Sequence, residues 1–202
     1  HYPLRRQRQM CIRDSPGDAV LLLNRMLDDL VHATAAHGGE VGAIQTDGIM
    51  AAFGMDGDVR TGALAALSCA ADMLTAIEAA NDQFASALPI PLRLGIGIHT
   101  GPVVIATRNI VDGGSDAALA GQPLAVIGET VVVAGRLEEA TKEVSADCLI
   151  SQAVYDAAGL TYPPVPVRQI NYKQGDNPIP AYAVNSPRNA ELPAAESRRE
   201  KA

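Results

Sequence analysis

From Asp18 onward, Val20, Leu23, Leu27, Leu30 and Val31 recur at steps of three and four residues. That spacing puts apolar side chains on one side of an α-helix and leaves the other side to solvent. His37-Gly38-Gly39 ends the pattern, because glycine takes the left-handed conformation that closes a helix. Two short apolar stretches follow, Val41 to Ile44 and Ile49 to Phe53, with Thr46-Asp47-Gly48 between them. An Asp-Gly pair between apolar runs predicts a hairpin. A long helix is predicted from Val59 to Phe84, stopped by Pro89 and Pro91. Leu92 to His99 reads as a buried strand, and Thr100-Gly101-Pro102 turns the chain into a second stretch, Val103 to Ala106. Residues 107–122 have no periodicity and read as a loop or flap. Helical spacing returns from Glu129 to Glu143 through Val132, Val133, Arg136, Leu137 and Ala140. Cys148-Leu149-Ile150 is a short strand, Ser151 caps a helix that ends at Gly159, and strands near Val167 to Tyr172 and Ala181 to Val184 close the pattern. Helices and strands are interleaved, which predicts an α/β (α+β) fold with helices packed on a mixed sheet.

The chain has 202 residues, enough for one domain with a sizeable core. The first 15 residues stand apart. His1 to Arg8 is basic, and Met10-Cys11-Ile12-Arg13-Asp14-Ser15 matches one reading frame of a common library adaptor. Residues 1–15 are therefore expected to be a non-native leader on a natural protein that begins upstream, 16–185 the folded domain, and 186–202 a disordered tail. Charge adds a constraint: 16 Lys and Arg against 23 Asp and Glu give a net charge of -7, which speaks against a nucleic-acid partner. Aromatics at 3%, with no Trp, leave little for base stacking and leave the core to aliphatic residues. Cys11, Cys69 and Cys148 lack metal-ligand or disulfide spacing, which fits a reducing, cytoplasmic setting. The most apolar stretch, Leu64 to Ala80, contains Ser68, Asp72 and Glu78 and reads as the helix of a soluble domain, so no membrane segment is expected.

Four segments, taken in order, resemble the catalytic domain of class III nucleotide cyclases, the adenylate and guanylate cyclases. They are His37-Gly38-Gly39-Glu40-Val41 running into Thr46-Asp47-Gly48-Ile49-Met50-Ala51-Ala52-Phe53-Gly54; Leu92-Arg93-Leu94-Gly95-Ile96-Gly97-Ile98-His99-Thr100-Gly101; Val126-Ile127-Gly128-Glu129-Thr130-Val131 through Ala134-Gly135-Arg136-Leu137-Glu138; and Leu149-Ile150-Ser151 with a late Lys173. The resemblance implies a ferredoxin-like mixed sheet flanked by helices and a head-to-tail homodimer, or pairing with a related cyclase domain. It also implies active sites shared between subunits, and conversion of ATP, or less readily GTP, to the 3′,5′-cyclic nucleotide and pyrophosphate in intracellular signalling. The setting it implies is cytoplasmic, including the cytoplasmic part of a membrane-bound or multidomain parent.

Attack of a ribose 3′-hydroxyl on an α-phosphorus needs divalent ions on hard oxygen ligands and cations that meet the developing charge. By resemblance, Asp47 is a ligand of Mg²⁺ or Mn²⁺, two ions being expected in an intact site. Thr46 and Gly48 flank it as substrate-binding positions, and Thr46 stands where the family usually has glycine. Arg136 matches the arginine that stabilises the transition state, its planar fork suited to phosphate oxygens. The bland alternative for Arg136 is a solvated helix arginine paired with Glu139 or Glu143. Lys173 resembles a phosphate-binding lysine. The sequence departs from the family at Val132, where an asparagine is usual one helical turn before the arginine, and at Ala43 and Ala125, where base-reading side chains are usual. Those departures define an alternative, a catalytically degenerate cyclase-like domain that regulates or dimerises.

Overall fold

The computed structural model describes residues 16–44, 48–85, 88, 90–106, 125–160, 167–172 and 177–184. Helix α1 (Pro16–Ala36) leads into strands β1 (Glu40–Ile44) and β2 (Ile49–Ala52), followed by the long helix α2 (Val59–Phe84). Then come β3 (Ile96–Ile98), β4 (Val104–Ala106), β5 (Ala125–Ile127), helix α3 (Glu129–Val144), β6 (Cys148–Ser151), helix α4 (Gln152–Ala158), β7 (Arg168–Ile170) and β8 (Ile179–Val184). The α+β class read from the sequence is the class observed.

The helix boundaries follow from local chemistry. Past α1, Gly38 takes φ of 71°, and the Gly39 N–H donates to the Thr34 carbonyl at 2.9 Å, which consumes a carbonyl the helix leaves unpaired. The Asp58 carboxylate accepts from the N–H groups of Arg60 and Thr61 and starts α2. The Ser151 hydroxyl accepts from the Val154 N–H to start α4, and Gly159 closes that helix with φ of 69°. The hairpin expected around Asp47-Gly48 is present as the antiparallel pair β1–β2, with Ile44 opposite Ile49 and an irregular register between Val41 and Ala43.

The main sheet has the order β3-β6-β8-β7, with β3 parallel to β6 and the other pairs antiparallel. Every residue of β6 is buried, so both faces of this strand are covered. Cys148 and Ile150 point into a cluster with Ala63, Leu67 and Leu74 of α2, Val154, Tyr155 and Ala158 of α4, and Tyr182 of β8. Leu149 faces the other way, into Val133, Leu137 and Ala140 of α3 with Ile170 and Ala181. The sheet is thus a layer between α2/α4 on one side and α3 on the other. A third cluster, Leu30, Cys69 and Met73, joins α1 to α2, with Ile49 and Phe53 of the hairpin region packed against it.

Two expectations change. The strand foreseen over Leu92 to His99 shrinks to Ile96–Ile98. The Asn81 side chain takes both backbone groups of Leu92, donating to its carbonyl at 2.9 Å and accepting from its N–H at 2.7 Å, so the ladder starts later. The stretch after Thr100-Gly101-Pro102 pairs with β5, Val104 opposite Ile127, and β5 carried too few residues to be read as a strand. One reading holds: α2, long and apolar enough by composition to cross a membrane, is a core helix. Here it buries Leu67, Cys69, Ala70, Leu74 and Ile77 as part of the core. The loop or flap read over 107–122, the leader 1–15 and the tail 186–202 lie outside the described residues.

Candidate active site

Helix α3 is the element on which the site can be built. It lies on β3 and β6, and the approach is close because β3 carries glycine at its centre. A Cβ at Gly97 would collide with the Ala134 carbonyl oxygen and the Glu138 nitrogen. At its start, the Thr130 hydroxyl donates to the Pro102 carbonyl at 2.8 Å and ties α3 to the turn after β3.

Arg136 projects from the second turn of α3 and is mostly covered, its side chain 21% exposed. Its Nε donates to the Asn171 carbonyl at 2.7 Å, just past β7. Its Nη1 and Nη2 donate to the two carboxylate oxygens of Glu143 at 2.7 and 3.1 Å, and Glu139 stands 3.7 Å from Nη1. The bidentate bond from Glu143, strengthened by both carboxylates, holds the guanidinium pKa above its ordinary value, and the same bond holds the Glu143 carboxyl below its own. Arg136 is therefore a fixed cation, seated in the glutamate pairing that its helical spacing allows. The Asn171 carbonyl left no mark in the sequence, because any residue type supplies it.

Val132, one turn earlier on α3, is 54% exposed although apolar. Ala125 on β5 is exposed and Ala43 on β1 is half-buried. Gly48 opens into free space, where a Cβ would meet nothing within 4 Å. Thr46, Asp47 and Lys173 lie outside the described residues. Of the residues foreseen for the site, Arg136 on α3 and Gly48 just before β2 lie among those described, and β5 touches both α3 and β1. The hairpin leans on α1, while α3 lies on β3 and β6.

Among the described residues no group of three His, Cys, Asp or Glu side chains could hold a metal ion. Burial pushes the Cys69 thiol up to about 11 and the Cys148 thiol up to about 12, so both are free but inert.

Sequence reasoning missed one polar pair. His99 follows the last residue of β3, and its Nδ1 lies 2.8 Å from the Ser151 hydroxyl that caps α4. Loss of solvent lowers the His99 pKa, partly offset by the Glu129 carboxylate. The signal available was a histidine closing a Gly-x-Gly strand, which names no partner.

The fold is a mixed sheet layered between helices, with Arg136 held on α3. Residues 4–161 match the family described as Adenylate and Guanylate cyclase catalytic domain, and the chain belongs to that family. The match begins inside the segment set apart by its composition. The chain is 33% identical over 141 residues to adenylate cyclase 1 of Rhizobium meliloti (strain 1021), which covers 69% of the chain but only 20% of that relative. Its fold is similar to the crystal structure of the guanylyl cyclase Cya2, with a TM-score of 0.67, 27% identity, and 85% of this chain and 82% of that one covered. It is also similar to the adenylyl cyclase CyaB from P. aeruginosa, with a TM-score of 0.66, 24% identity and 87% of each chain covered.

Proposed function

We propose that this domain converts ATP, and less readily GTP, to the 3′,5′-cyclic nucleotide and pyrophosphate as the output unit of a signalling protein in the cytoplasm. The observation that carries the reading is Arg136. It is a mostly covered guanidinium anchored through Nε to the backbone of Asn171, two residues before Lys173 in the chain. An arginine held by its Nε can present both Nη groups to a phosphate without reorganising its stem. In this role Arg136 stabilises charge on the α-phosphate as the 3′-oxygen attacks and the pyrophosphate oxygen leaves. Lys173 meets the outer phosphates, Gly48 and Thr46 border the triphosphate, and Asp47 holds Mg²⁺ or Mn²⁺. Ions held at Asp47 would lower the pKa of the attacking hydroxyl and neutralise the phosphates. Asp47 and Arg136 of one site come from opposite subunits of a head-to-tail dimer, or from this chain and a related cyclase domain.

A second reading is favoured by a specific observation. Val132 presents an exposed isopropyl group where a ribose-binding amide is usual, and Ala125 and Ala43 offer no base-reading atoms. On this reading the domain binds nucleotide or a partner cyclase without turnover.

One assay separates the two. The parent protein, with its authentic upstream sequence, is incubated with ATP or GTP and Mn²⁺, and cyclic nucleotide is measured. Turnover that Arg136→Ala lowers by about a hundredfold or more supports the cyclase reading, and Val132→Asn is expected to raise the rate. No product from wild type or from Val132→Asn supports the regulatory reading.

A further inference from the structure

We propose that Glu143 is a positioning residue that parks the Arg136 guanidinium, and that an incoming triphosphate engages Arg136 by displacing this carboxylate. The proposal rests on the cyclase reading of Arg136 and adds to it a control on when that cation becomes available.

The geometry separates what is fixed from what moves. Among the described residues the guanidinium meets the Asn171 carbonyl, the Glu143 carboxylate and, at 3.7 Å, the Glu139 carboxylate. The carbonyl is neutral and belongs to the backbone, so its bond to Nε survives a change of partner at the other end. Glu143 occupies the Nη1/Nη2 fork with both oxygens, and a phosphate would use that same fork. Carboxylate and phosphate are therefore mutually exclusive on Arg136. The Glu143 side chain is 57% exposed and that of Arg136 is 21% exposed, so the glutamate can swing into water while the arginine stays seated. Among the described residues two carboxylates face this one cation, so Glu143 adds negative charge where a polyanion would bind. The Glu143 end of the pair is 57% exposed and screened by water, so the latch is one a highly charged ligand can open.

The test titrates inorganic triphosphate, at fixed ionic strength, into the wild-type 202-residue chain and into variants at this cluster. Glu143→Gln is expected to bind roughly two- to fivefold more tightly, the factor by which a surface ion pair of this strength competes. Arg136→Ala is expected to bind more weakly than wild type. The double variant is expected to match Arg136→Ala, because without the guanidinium there is nothing to release. Glu139→Gln, which removes the same charge without vacating the fork, is expected to gain less. Glu143→Asp, charged but shorter, is expected to fall between wild type and Glu143→Gln. A gain in Glu143→Gln that persists in the double variant would be a general charge effect and overturns the proposal. So does unchanged or weaker binding by Glu143→Gln while Arg136→Ala still weakens binding, an outcome that leaves the cyclase reading intact. Binding indifferent to Arg136→Ala removes the arginine from the site and overturns both.

Discussion

At the scale of single residues, the His99–Ser151 pair makes a pH prediction whose sign can be worked out. The Ser151 oxygen accepts from the Val154 N–H at 3.3 Å, so its hydrogen is available to the Nδ1 of a neutral His99 ring. We assign the ring proton to Nε2 on that basis. Protonation would turn Nδ1 into a donor aimed at an oxygen already accepting the helix cap. Because desolvation lowers the folded pKa, the unfolded chain binds the proton at a higher pH than the folded one. The stability contribution is complete above the ordinary imidazole value of 6.5 and is lost as pH falls below it. The urea midpoint should therefore drop on acidification from neutrality, and His99→Gln should flatten that part of the curve. An identical pH dependence in the variant would remove His99 as its source. Legibility at this scale was uneven for a physical reason. Glu139 and Glu143 could be foreseen as partners of Arg136, because helical spacing puts them on one side. The Asn171 carbonyl and the Ser151 partner of His99 could not, because each is set by tertiary approach between segments distant in the chain.

Among the elements, what periodicity marks is which side of a segment is apolar, and that placed α1 to α4 within a few residues of their observed ends. It does not mark where a ladder begins, since Asn81 can satisfy Leu92 as well as a neighbouring strand could. Nor could it assign Ala125–Ile127 to β4, because three residues are too few to show alternation. The spacing between layers is a finer matter that two glycines report. Gly97 sits where β3 meets the backbone of α3, and Gly135 sits on the outer face of α3 with nothing within 4 Å of an added Cβ. The same substitution should therefore have opposite signs. Gly97→Ala forces α3 away from the sheet and should destabilise by about 1–3 kcal/mol, the usual range for overpacking. Gly135→Ala relieves the entropic cost of a helical glycine and should stabilise by about 0.5–1 kcal/mol. Urea unfolding of both variants at neutral pH checks the pair. Equal effects at the two sites would mean that α3 does not rest on β3 as closely as Gly97 implies.

For the whole molecule, the decisive question is how many chains build one site. Arg136 is carried by the α3 layer, while the hairpin that would present Asp47 leans on α1. The ordered motifs carried the expectation of a site completed by a second subunit only through their resemblance to a family. Mixing variants measures it. In the parent protein, Asp47→Ala and Arg136→Ala should each be nearly inactive alone, since every homodimer then lacks one essential group in both sites. Mixed in equal amounts and allowed to exchange, about half of the dimers contain one chain of each kind. In such a dimer one site combines the intact Asp47 of one chain with the intact Arg136 of the other, while the second site collects both lesions. One working site in half of the dimers is about a quarter of the wild-type sites, so the mixture should recover about a quarter of the wild-type cyclase rate. A site built within one chain gives no recovery at all, because no exchange can then bring the two intact groups together. Recovery that grows with protein concentration would further tie the rate to dimer formation, and a mixture that stays as inactive as its components would place Asp47 and Arg136 in the same subunit's site or outside it altogether.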